Sequence, residues 1–207
     1  MPLIRREPAD RAAPAEADLG QAAAALRSGN AEERRQAARR LAAEPAAAGL
    51  LGAALAAEQD GRVRGAILTS LTRLGSSDSV GAVIPHLRSD DAGLRTGALD
   101  ALREMITAVR PRLPGLLADP DPDIRVLCCD LVRELPAADA TDLLCNVLDR
   151  DPEPNVCGAA VDVLAEIGTS AALPALQKCA ARFREQRFLA FAISVAAERI
   201  ASQRTGC

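Results

Sequence analysis

Tryptophan and tyrosine are absent from these 207 residues, and the three phenylalanines, Phe183, Phe188 and Phe191, crowd near the C-terminal end. A β-sandwich or barrel draws on aromatic and β-branched residues, so an all-β fold is excluded. Proteins that stack single-stranded or flipped bases need aromatic platforms, which this chain does not have. Its net charge is −3. No global basic field attracts nucleic acid or anionic lipid, so neither is expected as a partner.

Reactive chemistry is equally scarce. The single histidine, His86, follows Pro85 near the end of an expected helix and reads as a surface or capping residue rather than a general base. No serine stands in a Gly-x-Ser-x-Gly elbow and no Cys-x-x-Cys occurs. Cys128 and Cys129 are neighbours, hence about 100° apart on a helix, and do not converge on one ion. Most of the six cysteines (128, 129, 145, 157, 179 and 207) fall in apolar helical patterns, where free thiols act as small hydrophobes. The expectation is a non-enzyme with no metal and no cofactor, in a reducing, cytoplasmic setting. Arginine outnumbers lysine 24 to 1, which fits a GC-rich bacterial genome. Residues 1–17 are rich in Ala, Pro and charge without an apolar run, and read as a disordered arm rather than a signal peptide or anchor.

Alanine (44) and leucine (27), both strong helix formers, make up a third of the chain. A pattern recurs among them. A turn or acidic residue is followed four positions on by an anchor, often arginine, with an apolar residue just before it. Small or apolar residues follow three and seven positions later. The copies are Asp60, Val63, Arg64, Ile67 and Leu71; Asp91, Leu94, Arg95, Ala98 and Leu102; Asp121, Ile124, Arg125, Cys128 and Val132. Degenerate copies have Glu153 with Cys157, Asn30 with Arg34, and Arg184 with Phe188. The six anchors at 34, 64, 95, 125, 157 and 188 are 30, 31, 30, 32 and 31 residues apart. A near-constant period of this length marks a stack of repeated helix pairs.

Within each period a second helix (B) starts at the acidic residue, an effective N-cap. Its apolar positions fall on one face at 100° per residue. Gly75 and Gly168 follow B helices as stop signals. The first helices (A) are expected near 18–28, 46–57, 79–88, 112–118, 139–148 and 171–182, the fourth shortened by Pro111 and Pro114.

The Asp-x-x-Val-Arg-x-x-Ala-x-x-x-Leu core of residues 60–71, 91–102 and 121–132 resembles HEAT repeats, most closely the short bacterial kind grouped with the phycobilisome-lyase HEAT-like repeats. The resemblance spans residues 18–203 and implies an all-α solenoid, a right-handed superhelix of about six helix pairs with the B helices on its concave side. It also implies a ladder of hydrogen bonds between repeats, formed here by Asp60, Asp91 and Asp121 with Arg64, Arg95 and Arg125. The ladder should lapse where Cys157 and Phe188 replace arginine, leaving apolar contacts around the phenylalanines.

On the B helices the outward positions align. Asp100, Asp130 and Asp162 recur five residues beyond successive anchors, and Glu104, Glu134 and Glu166 recur nine beyond. Arg103 and Arg133 partly neutralise them, whereas the first B helix carries Arg34, Arg35, Arg39 and Arg40. The expected function is a scaffold or adaptor that offers the acidic row to a basic segment of a protein partner. The charge polarity along the chain also suits self-association. The alternative, drawn from the resemblance, is an accessory lyase or chaperone-type protein for attaching a bilin-like cofactor.

Overall fold

The computed structural model describes residues 12–203, with side chains described over 20–202. The expected arm therefore lies outside the described residues up to position 11. Cys207 lies outside them as well. The first helix, α1 (Ala12–Ser28), starts ahead of the boundary expected at 18. Among the described residues there are helices and no strands. No described helix is long and apolar enough to cross a membrane.

The chain divides into two compact units, residues 1–86 and 87–207. In the first, α1 is followed by α2 (Ala31–Leu41), α3 (Ala48–Ala57), α4 (Gly61–Leu74) and α5 (Ser77–Val83). The B helices α2 and α4 pack side by side, as do the A helices α3 and α5. Asn30 caps α2 in a full capping box with Glu33, and Asp60 caps α4 by accepting from the N–H groups of Arg62 and Val63. Helix α4 ends at Gly75, whose φ of 57° is the left-handed conformation that glycine adopts without a Cβ clash.

The second unit holds α6 (Ala92–Glu104), α7 (Ile106–Val109), α8 (Leu113–Leu116), α9 (Pro122–Val132), α10 (Ala137–Arg150), α11 (Pro154–Ile167), α12 (Leu173–Arg182) and α13 (Arg187–Gln203). Here the B helices α6, α9, α11 and α13 stack in order, and α10 stacks on α12. The fourth A segment begins earlier than expected. It is broken into α7, a 3-10 turn (Arg110–Arg112) and α8, because Pro111 and Pro114 remove N–H donors. Gly168 ends α11 in an extended rather than left-handed conformation. Its Cβ would lie 2.4 Å from the Leu164 carbonyl oxygen, so only glycine fits there.

The repeat register is visible in the core. Val63, Ile67, Leu71, Ala98, Leu102, Ile124, Cys128, Val132, Val156, Ala160 and Leu164 are all buried, at the positions the pattern assigns. Each fully buried leucine or isoleucine contributes about 1.5–3 kcal/mol of transfer free energy. Burial pushes the Cys128 and Cys129 thiols up to about 12, as expected for apolar packing.

The sixth repeat departs from the expected register. In the first five repeats the anchor N–H donates to the carbonyl of the cap four residues before it; in the sixth this bond joins Ala190 to Gln186. The anchor is therefore Ala190, not Phe188. Phe188 and Phe191 are 88% and 67% exposed, while Leu189 and Ile193 are 4% exposed. The aromatic stacking expected here is replaced by Leu189, Ile193, Ala196 and Ile200. The cause is local: α12 runs to Arg182, and residues 183–186 form the turn, so α13 starts two residues late. Ile193→Ala should accordingly lower stability by about 2–4 kcal/mol in urea unfolding, and Phe191→Ala should change it by less than about 0.5 kcal/mol. The opposite order would restore the Phe188 register.

Candidate functional site

Two features of the stack carry polar chemistry: the arginines that tie repeats together inside, and the charged rows outside. The anchor arginines share one local bond. Arg64, Arg95 and Arg125 each donate to the carbonyl six residues earlier, Glu58 at 2.8 Å, Ser89 at 2.6 Å and Asp119 at 2.8 Å. Each therefore closes the turn that precedes its own helix.

Two carboxylates outside the expected set, Glu58 and Asp151, take part in the ladder. Arg34 grips Glu58 with both arms of its fork, Nε to Oε2 at 2.7 Å and Nη2 to Oε1 at 3.0 Å. Arg125 grips Asp151 in the same way at 2.6 and 3.0 Å. Asp60 and Asp121 instead accept from the N–H groups of Arg62 and Asp123 at the starts of their own helices, and Asp91 accepts from Leu94. The pairing acid stands two residues before the cap. There it also accepts the cap's backbone N–H: Asp60 to Glu58 at 2.9 Å, Asp121 to Asp119 at 3.0 Å, Glu153 to Asp151 at 2.9 Å. Ser89 holds this place before Asp91, and Asp119 pairs with Arg88 rather than with an anchor. The sequence carries the signal as an acid-x-acid spacing at Glu58–Asp60, Asp119–Asp121 and Asp151–Glu153.

Arg125 and Asp151 are both buried, so this pair is an interior ion pair of the second unit. Glu58 is buried too. Its carboxyl is held down at about 2, chiefly by the Arg34 guanidinium and then, against the opposing effect of burial, by the N–H groups of Asp60 and Gln59.

On the outer face the six acidic residues separate into two groups. Arg103 bridges Asp100 on its own helix to Asp130 on α9, and Arg133 bridges Asp130 to Glu166 on α11. The stacked carboxylates expected to repel one another are therefore interleaved with guanidinium groups. Glu104, Glu134 and Asp162 are exposed and make no ion pair among the described residues. Six carboxylates and two arginines leave four surplus negative charges on the joined faces of α6, α9 and α11. Ile193, five residues beyond Phe188, is buried and does not extend this row.

The second unit also has an open cavity of about 570 Å³, where the broken fourth A segment faces α10. Its walls include Pro114, Leu117, Leu143 and Val147, with Asn146 and Arg150 at polar positions and no aromatic ring. His86 is half-buried, and burial, with the Arg64 charge adding to it, lowers its pKa and favours the neutral ring.

Two outcomes follow from the ladder. Arg125→Ala strands the buried Asp151 carboxylate and should cost about 3–5 kcal/mol in urea unfolding, clearly more than Arg95→Ala. Glu58 titrates lower in the folded chain than in the unfolded one, so its stabilisation is complete above about pH 4.5 and fades as pH falls towards 2. Glu58→Gln should cost about 1–3 kcal/mol at neutral pH and flatten that acid limb. An unchanged acid limb would remove Glu58 from the ladder.

A sequence profile described as HEAT repeats matches residues 109–194. Comparison with curated proteins found no match. Among solved structures, the chain is similar to the archaeal HEAT-like repeats protein from Thermococcus onnurineus NA1, with 17% identity and a TM-score of 0.45 over 94% of this chain and 84% of that one. It is similar to the complex of CpcE and CpcF of phycocyanin lyase from Nostoc sp. PCC7120, with 19% identity and a TM-score of 0.39 over 96% of this chain and all of that one. It is also similar to a designed armadillo repeat protein, with 17% identity and a TM-score of 0.41 over 88% and 99% of the two chains. The residues matched by the HEAT-repeat profile, 109–194, contain α9 to α12 entire.

Proposed function

We propose that the protein is a non-enzymatic binding scaffold whose acidic face on α6, α9 and α11 receives a basic segment of a protein partner. The observation that carries this reading is the set of exposed, unpaired carboxylates Glu104, Glu134 and Asp162. They flank a row whose other members are held in register by Arg103 and Arg133. An incoming arginine or lysine meets fixed acceptors, because the bridged carboxylates are already ordered by the protein. Asp100, Asp130 and Glu166 serve as the frame, and the unpaired three as the contact points. A second copy of the chain could supply the basic segment through Arg35, Arg39 and Arg40 of α2. A cytoplasmic setting accords with the five described cysteines, all free thiols. The alternative, accessory work in bilin-like cofactor attachment, finds no aromatic wall in the cavity of the second unit.

Affinity capture from lysate of the source organism, identified by mass spectrometry, tests the reading. Glu104→Lys, Glu134→Lys and Asp162→Lys combined should weaken the captured complex about tenfold or more while helicity is kept. Binding by the unaltered chain should fall as salt rises, since exposed charge pairs are screened beyond about 8 Å at physiological ionic strength. Capture that survives both the triple variant and high salt would place the interface elsewhere.

A further inference from the structure

The fifth and sixth repeats both lack an anchor arginine and meet the loss differently. In the fifth, Cys157 holds the anchor position, and Arg182 of α12 donates to the Asp151 carbonyl at 2.7 Å, 3.4 Å from the Cys157 sulfur. In the sixth the anchor is Ala190, and α13 packs on α11 and α12 through Leu189, Ile193, Ala196 and Ile200. The opposite face of α13 carries the two most exposed large apolar side chains among the described residues, Phe188 and Phe191.

Helix geometry arranges that face as two adjoining rows. Arg187, Phe191, Ser194 and Glu198 recur at spacings of four, three and four residues, and all are exposed. Beside them stand Phe188, Val195 and Arg199, the valine half-buried and the other two exposed. Single exposed apolar residues are ordinary, but two phenylalanines and a valine on neighbouring turns make a continuous patch of the kind that marks an interaction site. The side chains of Arg187, Glu198 and Arg199 make no hydrogen bond or ion pair among the described residues.

Those charges decide which occupant fits. The first row begins with a cation and ends, eleven residues and about three turns later, with an anion. A uniformly basic or acidic segment would meet a like charge at one end. A second copy of the same helix, turned end over end, meets an opposite charge at both.

We propose that α13 is an isologous interface, on which a second copy of this chain packs antiparallel about a two-fold axis between Phe191 and Ser194. The axis brings Arg187 of each copy level with Glu198 of the other, so one row supplies two ion pairs. The two Phe191 rings meet beside the axis, offset along it by less than one turn. Phe188 falls level with the gap between Val195 and Arg199 of the second copy, which offers an apolar contact and a cation for the ring face. The interface is independent of the acidic face on α6, α9 and α11. One helix from each copy is a small contact, so a dissociation constant of about 10–100 µM is expected. Unfolding followed at about 1 µM chain therefore reports the monomer.

Sedimentation equilibrium of the full-length chain between about 1 µM and 1 mM should show a monomer–dimer equilibrium. Phe191→Ser should weaken it about tenfold or more, with helicity kept because the ring is exposed in the monomer. Arg187→Glu alone and Glu198→Arg alone should each weaken self-association about tenfold, since the two-fold axis makes each like-charge contact occur twice. An equimolar mixture of these two variants should recover the wild-type affinity, because each then meets opposite charges on the other. p-Benzoylphenylalanine in place of Phe191 should, on irradiation, link two copies within α13. If a variant loses helicity, wild-type sedimentation and the crosslink map still decide. A chain that stays monomeric over the whole range overturns the proposal, as does a mixture that associates no better than its separate variants. A dimer that Phe191→Ser leaves intact and the acidic-face triple variant abolishes belongs to the scaffold face and equally overturns it. Crosslinks from position 191 to a different protein in lysate, with the purified chain monomeric, would assign α13 to that protein instead.

Discussion

The two-pronged grip of a guanidinium on a carboxylate at an inter-helix turn organises this protein. Arg125 holds Asp151, and Asp151 in turn accepts the N–H of Glu153, so one buried pair fixes both the neighbouring repeat and the start of its B helix. Arg34 and Glu58 repeat the arrangement in the first unit. Burying two charges is costly, and their mutual attraction offsets that cost only with good geometry and further hydrogen bonds. Both conditions are met here: the carboxylates accept backbone N–H groups, and the arginines also donate to backbone carbonyls. The gain is specificity of register, because a helix pair shifted by one position would leave a buried charge without a partner.

That internal tie frees the outer face from structural duty. Interior leucines, valines and alanines supply the packing, and the anchors satisfy the turns. The exposed rows can then vary in charge at little cost to the fold, since a surface ion pair is worth at most about 1 kcal/mol. The Arg103 and Arg133 bridges are of this weak kind. Their effect is to order the carboxylates rather than to hold helices together, which suits a recognition surface more than a core.

The fifth and sixth repeats show what happens when the anchor is lost. At Cys157 the guanidinium is replaced from another helix, since the Asp151 carbonyl still requires a donor. At Ala190 no side-chain donor exists, and Leu189, Ile193, Ala196 and Ile200 hold α13 by apolar burial. The price of that arrangement is two exposed phenylalanines on the outer side of α13.

The period, the all-α class and the starts of the first five B helices were legible in the sequence because they rest on local chemistry. An N-cap acts on N–H groups two or three residues away, and an apolar stripe is set by 3.6 residues per turn. Asp60, Asp91 and Asp121 declared themselves as caps in this way, and the outward positions of Asp100 and Glu104 followed from the same periodicity. The partner of a guanidinium is another matter. Arg125 and Asp151 are 26 residues apart, and Cys157 and Arg182 are 25 apart; which groups meet depends on how one helix pair sits on the next. The late start of α13 likewise depended on where α12 stopped, a balance between helix propagation and turn formation that the apolar pattern around Phe188 could not decide. Only the packed stack determined which acids were caps, which were partners, and which were left facing solvent.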